Sequence, residues 1–147
     1  MVKEALENAA RYFNGCADAS CTDKPLINKA VIGYNFDMAQ GVTYDIDLTR
    51  PVGDRIQNLR YKGRPLDPLE KLRIAVNNYR AGGGNGYAMF KDADIVWRSY
   101  EGIRELILRY YSENQLAAES DHNWRVIPET ARRALRTEAR REQPPSK

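Results

Sequence analysis

Apolar residues recur with a helical period at the start of the chain and with a period of two further on. Val2, Leu6, Ala9, Ala10 and Phe13 share one stripe, and Lys3, Glu4, Glu7, Asn8 and Arg11 face away. This predicts an amphipathic helix over residues 2–14, ended at Gly15. Residues 15–29 have no period and read as a loop. Ala30 to Asp37 is short and apolar enough for a strand or a strand end. The clearest alternation follows, with Val42, Tyr44, Ile46 and Leu48 on one side and Thr43, Asp45, Asp47 and Thr49 on the other. It predicts a strand with one buried and one wet face.

Pro51 and Gly53 break that strand, and Arg55 to Tyr61 reads as its neighbour, closed by a turn at Lys62-Gly63-Arg64-Pro65. Asp67-Pro68 starts a helical turn, and Leu72 to Val76 reads as a further strand. Asn77 to Tyr87 then holds four of the ten glycines, bracketed by Tyr79 and Tyr87. A run such as Gly82-Gly83-Gly84 serves where backbone takes left-handed angles or approaches another molecule closely. Ala88 to Ala93 predicts a helical turn and Ile95-Val96-Trp97 a short strand. Ser99 caps a helix over 100–116, with Ile103, Leu106, Ile107, Tyr110 and Leu116 as its apolar side. Residues 123–127 predict a last strand, closed by Pro128. Residues 129–147 have a thin apolar stripe (Ala131, Leu135) and read as a frayed surface helix or disorder. The fold class is α+β (mixed α/β), with four to five strands in a mixed sheet packed by two main helices.

Composition narrows the function more than the fold. The 147 residues are one domain's worth, and the hydrophobic share of 42% is ordinary for a globular protein. The net charge of +3 is carried by the tail, where six basic residues meet three acids, leaving seventeen of each sign in residues 1–128. A neutral body gives no expectation of binding a nucleic-acid polymer. No apolar run approaches membrane-spanning length, and the opening residues read as an amphipathic helix rather than a signal peptide. Cys16 and Cys21 are either a local disulfide or two free thiols. With His122 the one histidine, a zinc site is not expected.

Catalytic machinery is not visible. No G-x-S-x-G elbow, H-E-x-x-H pair or P-loop occurs, and the glycine loop lacks the Lys-Ser/Thr that a P-loop needs. Asp45 and Asp47 read as solvated carboxylates on the wet strand face, and His122 beside Asp121 as a surface pair. Trp97 and Trp124 read as core. Phe36 and Tyr79 differ, because each stands at a strand end among turn-forming residues. Two such rings suit a flat ligand such as a nucleobase, each stack being worth about 1–3 kcal/mol.

Tyr34-Asn35-Phe36-Asp37, Gly41 to Asp47, Gly53-Asp54-Arg55-Ile56 and Asn77 to Gly86 together resemble the C-terminal substrate-recognition domain of the 5′-nucleotidase family. Their form is similar to its 2′,3′-cyclic-nucleotide 2′-phosphodiesterase/3′-nucleotidase branch. The resemblance runs from about residue 2 to residue 128, so the domain expected is 1–128, with 129–147 a basic tail. It implies that Phe36 and Tyr79 clamp a base and that Gly82, Gly83 and Gly84 shape the pocket. Asn85 stands where the family carries an acidic residue, and Gly82 where it often carries a polar one.

Further expectations come from the resemblance. The partners are a nucleoside or nucleotide and an N-terminal metallophosphoesterase domain. Catalysis by divalent metal ions belongs to that domain, so this chain is expected to hold no catalytic residue, metal or cofactor and to be inactive alone. It is expected to lack the first part of the recognition domain. An extracytoplasmic location is implied. The alternatives are a noncatalytic interaction domain using the basic tail and a complete small hydrolase.

Overall fold

The alternation at 42–48 builds the central strand of a four-stranded mixed sheet. β1 (Val42–Asp47) pairs antiparallel with β2 (Ile56–Tyr61) and parallel with β4 (Trp124–Ile127). A two-residue strand, β3 (Arg64–Pro65), extends the sheet beyond β2, giving the order β3-β2-β1-β4. Lys62 and Gly63 join β2 to β3 with positive φ at both positions (50° and 78°). That is the geometry a two-residue hairpin requires of its central pair. The structure, a computed structural model, describes residues 1–21, 24–114 and 120–142. It divides into a sheet unit, Met1–Leu72 with His122–Lys147, and a loop unit, Arg73–Asp121.

In the sheet unit, Leu6, Ala10 and Phe13 share one core with Val42, Tyr44, Ile46, Leu48 and Ile56. The first helix, α1, spans Val2–Ala10 and stops short of the expected residue 14. A buried cation sits at the early end. Residues 11–13 tighten into i−3 bonds, and the Arg55 guanidinium donates to the carbonyls of Ala10 (2.9 Å) and Phe13 (2.7 Å), bringing a charge to the end of the helix. Reciprocally, the Glu7 carboxylate accepts the backbone N–H groups of Arg55 (2.9 Å) and Ile56 (2.7 Å). Burial pushes the Arg55 guanidinium below its ordinary value and Glu7 acts against that shift. Cys16 and Cys21 are both buried and form a disulfide, which resolves the two alternatives.

The chain after β4 is ordered into a helix, α4, from Glu129 to Glu142. Ala131 is fully buried, and the Glu138 carboxylate accepts the N–H of Leu26 at 2.9 Å. In place of a frayed end, residues 129–142 close the core from the side of β4. Residues 143–147 lie outside the described part of the chain.

Three expected strands do not form. Gly33–Asn35 is a single 3-10 turn, entered through a turn in which the Asn28 side chain accepts from Ala30, so 30–37 does not form a strand. Residues 72–76 and 95–97 have no ladder partner among the described residues. An apolar run becomes a strand only where a neighbour takes its backbone hydrogen bonds. Trp97, expected in the core, is 77% exposed, whereas Trp124 packs partly buried against the core cluster.

The loop unit contains a short helix, α2 (Asn78–Ala81), two 3-10 turns (Gly84–Gly86 and Ala88–Phe90) and α3 (Ile103–Glu113). α3 is shorter than the expected 100–116. Gly102, not Ser99, is its N-cap, while the Ser99 hydroxyl accepts from the N–H of Glu101 one turn earlier. Leu116, assigned to its apolar side, lies outside the described residues.

Candidate functional site

The glycine loop is shaped by the rings beside it. Asn77 caps α2 through its side chain, which accepts from the N–H of Arg80 at 2.7 Å. This fixes Tyr79 on the first turn of α2, where its side chain is about half exposed. The loop then returns over that ring. A Cβ added at Gly84 would lie 2.5 Å from Cζ of Tyr79, so the glycine backbone is the surface on which the ring rests. A Cβ at Gly83 would lie 2.6 Å from Cε of Lys91, and its φ of 80° is left-handed as well. Gly82 differs: its φ is −76°, and the nearest contact a Cβ would make is 3.4 Å.

Asn85 takes φ 54°, a left-handed angle that asparagine tolerates better than most residues. In that conformation it fits the turn whatever its side chain does. Beneath the loop, the Arg80 guanidinium lies over the Tyr87 ring at 4.5 Å and over the Tyr79 ring at 5.6 Å. Tyr87 is buried and stacks at 9° on Phe90. A charged plane between aromatic faces is held by the ring quadrupoles. Tyr79, Gly82, Gly83, Gly84 and Asn85 therefore occupy one small structure, organised by Arg80 and Tyr87. Sequence reasoning noted Tyr87 as a bracket of the loop and did not assign Arg80. The signal available was a Tyr-Arg pair followed seven residues later by a second tyrosine.

Phe36 belongs to the sheet unit. It is half-buried, with Tyr12 stacked on it at 5.3 Å and 25°. Phe13 and Trp124 meet it edge-on at 5.1 and 5.5 Å. Phe36 is thus one ring of a four-ring cluster at the margin of the core. Tyr34, two residues earlier, is largely exposed.

A second concave feature lies within the sheet unit. A shallow depression of about 470 Å³ is lined by Thr43, Asp45, Asn58, Arg60, His122 and Arg125. Here the expectation of a solvated Asp45 is corrected. Asp45 is 6% exposed, and its two oxygens accept from Arg125 Nε (2.7 Å) and Asn58 Nδ2 (2.6 Å). The cause is a bulge: the β1–β2 register slips between Thr43 and Asp45, and Asn58 absorbs the extra residue at φ 52°. Burial raises the Asp45 carboxyl pKa, but the bonds from Arg125 and Asn58 and the Arg125 charge outweigh it, leaving the value below the usual range. Asp47 is only partly exposed, and it accepts from the N–H and hydroxyl of Thr49 with Arg50 Nε 3.7 Å away.

Among the described residues there is no group of three or more His, Cys, Asp or Glu side chains placed to hold a metal ion. The described residues thus offer no donor set for a divalent metal centre, which the family resemblance assigns to a separate catalytic domain. No described helix is long and apolar enough to cross a membrane.

A mixed sheet closed by α1 and α4, interrupted in sequence by a glycine-loop unit, defines an α+β domain with no metal cluster among its described residues. The family described as 5′-nucleotidase, C-terminal domain, matches residues 1–92, and the chain belongs to it. It is 34% identical over 140 residues to the trifunctional nucleotide phosphoesterase protein YfkN of Bacillus subtilis, covering 86% of this chain and 10% of YfkN. It is also 34% identical over 147 residues to the 2′,3′-cyclic-nucleotide 2′-phosphodiesterase/3′-nucleotidase of Haemophilus influenzae, covering 88% of this chain and 22% of that protein. Among solved structures, a candidate 5′-nucleotidase from Staphylococcus aureus superposes with a TM-score of 0.69 at 32% identity. That match covers 85% of this chain and 25% of the other. The chain thus spans between a tenth and a quarter of the length of these relatives.

Proposed function

We propose that the chain is the nucleoside-recognition module of a nucleotide phosphoesterase. The observation that carries this reading is the Tyr79 ring, half exposed and backed by Gly84 at a distance no side chain would permit. A ring fixed from behind loses little freedom when a base stacks on its open side, which is the economical way to use a π-face. The family motif assigns Phe36 as the other ring of the clamp, and its aromatic neighbours fix its orientation in the same manner. Asn85 offers an uncharged amide to the sugar where the family has a carboxylate. Hydrolysis, with its divalent metals, belongs to a metallophosphoesterase domain, and the module alone turns over no phosphoester. The Cys16–Cys21 disulfide fits an oxidising, extracytoplasmic compartment.

Two stacks supply about 2–6 kcal/mol before the cost of immobilising the ligand. The expected affinity of this chain for adenosine is therefore about 1 mM or weaker. Titration with adenosine, followed by tyrosine and tryptophan fluorescence, tests it. Tyr79→Ala and Phe36→Ala should each abolish the change. Micromolar affinity, or binding indifferent to both substitutions, sinks the proposal.

A further inference from the structure

We infer that the depression on the sheet face away from Tyr44 and Ile46 is a binding site for a phosphate-class oxyanion, held between Arg60 and Arg125. The inference involves no nucleobase and does not rest on the base clamp. Every residue that lines the depression belongs to the sheet unit, so its walls are set by that unit alone. Directly paired strand residues share a face. Thr43 pairs with Arg60 and Asp45 with Arg125, which places the two guanidinium groups on one face, on opposite sides of β1. Their Cα atoms are therefore two strand spacings apart, about 10 Å, and offset by two residues, about 7 Å, along the strands. Two arginine side chains can close on one small anion across such a gap.

The charges in the depression do not cancel. Asp45 is the one acid in its lining, and both carboxylate oxygens are engaged, one by Arg125 Nε and the other by Asn58. Two guanidinium groups thus face one carboxylate, which leaves a positive charge without a counter-ion. A guanidinium carries five N–H donors in a fixed fork. Arg125 uses its Nε–H on Asp45, and Arg60 uses one donor on the Gly63 carbonyl at 3.2 Å. Neither arginine, nor the Thr43 hydroxyl between them, has a further partner among the described residues. The Asp45 bond also orients Arg125, so its remaining donors are held in place before any ligand arrives. Phosphate suits this arrangement better than a carboxylate does. Its oxygens point in several directions, so forks on opposite sides and a hydroxyl can each meet one, whereas a carboxylate offers two oxygens in one plane.

Titration of the isotope-labelled 147-residue chain with inorganic phosphate, followed by NMR at low ionic strength, tests the site. Sodium chloride at matched ionic strength is the reference. The backbone amides of Thr43, Arg60 and Arg125 and the Arg125 Nε–H should shift saturably, with a Kd on the order of 1 mM. Arg136 and Arg140, exposed arginines of α4, should shift no more than they do in sodium chloride. Arg60→Gln should weaken phosphate binding at least about fivefold and leave the melting temperature nearly unchanged, because Arg60 is exposed. A response that does not saturate, equal shifts at the α4 arginines, or binding indifferent to Arg60→Gln overturns the inference and makes phosphate a general counter-ion. Adenosine 5′-monophosphate separates the two sources of the same group. Shifts with inorganic phosphate alone assign the site to the free anion, and equal shifts with the nucleotide extend it to a phosphate carried on a nucleoside. Adenosine should leave these resonances unmoved. If adenosine moves them and phosphate does not, the depression recognises a base and the inference is wrong. The phosphate readout is taken without any nucleoside, so it stands or falls apart from the base clamp.

Discussion

In the sheet unit, Leu26, Ile46, Leu48 and Ile56 are sealed in a core that α1, the sheet and α4 close together. In the loop unit, Arg80 and Tyr87 are the two buried residues among those described, and what surrounds them is a guanidinium, tyrosine rings and glycine backbone. The first unit is held by apolar area removed from water, at about 25 cal/mol per Å². The second depends on a few directional contacts and on backbone angles that only certain residues adopt. Apart from Phe36, whose proposed part in the clamp is read in binding, substitutions in the sheet unit should therefore be read in global stability, and those in the loop unit in ligand affinity with little change in the melt.

The sharpest test of that division is Arg55→Met. It removes the donor at the end of α1 and leaves the carbonyls of Ala10 and Phe13, together with the Glu7 carboxylate, short of a compensating charge. Losing one member of such a buried charged network costs about 3–5 kcal/mol. Chemical denaturation followed by far-UV circular dichroism should show that loss, and a change below about 1 kcal/mol would mean the cation is dispensable. Reduction of Cys16–Cys21 should act in the same unit at a smaller scale. The closed loop is short, so about 2 kcal/mol is expected, read as a lower melting temperature in dithiothreitol.

These two tests touch features of very different visibility in the sequence. β1, β2 and β4 were legible within a residue or so, because a strand with one wet and one dry face writes its period directly into the chain. Residues 30–37, 72–76 and 95–97 carry similar apolar runs and form no strand, since composition does not say whether a neighbour exists to complete the ladder. The Glu7–Arg55 clasp was invisible because it joins positions 48 residues apart. Asp45 was misread for a related reason: alternation placed it on the wet face, and the bulge at Asn58 then brought a side chain over it. At the candidate site, motif and glycine content singled out Tyr79, Tyr87 as a bracket and the loop between them, but not Arg80, whose guanidinium lies over both rings.

Gly84→Ala probes the loop unit on its own terms. Its methyl group would need the space that Tyr79 occupies, so the ring must move and adenosine binding should weaken by about tenfold, roughly 1.4 kcal/mol. The melting temperature should change little, because Tyr79 contributes nothing to the core cluster. If Gly84→Ala lowers the melt and spares binding, the division between the two units is wrong.

Asp45 supplies the smallest effect and the one with a defined pH dependence. Its carboxyl is held below the ordinary value in the folded chain, so its contribution is present above the unfolded value, near pH 4, and is lost as pH falls through the folded one. Arg125 is two-thirds exposed, so solvent screens the pair and the contribution is about 1 kcal/mol or less. Asp45→Asn should flatten the fall of stability below about pH 4 and leave adenosine binding unchanged at pH 7. An unaltered acid limb would assign the buried carboxylate no net role. A change in binding would instead connect the sheet-unit depression with the ligand.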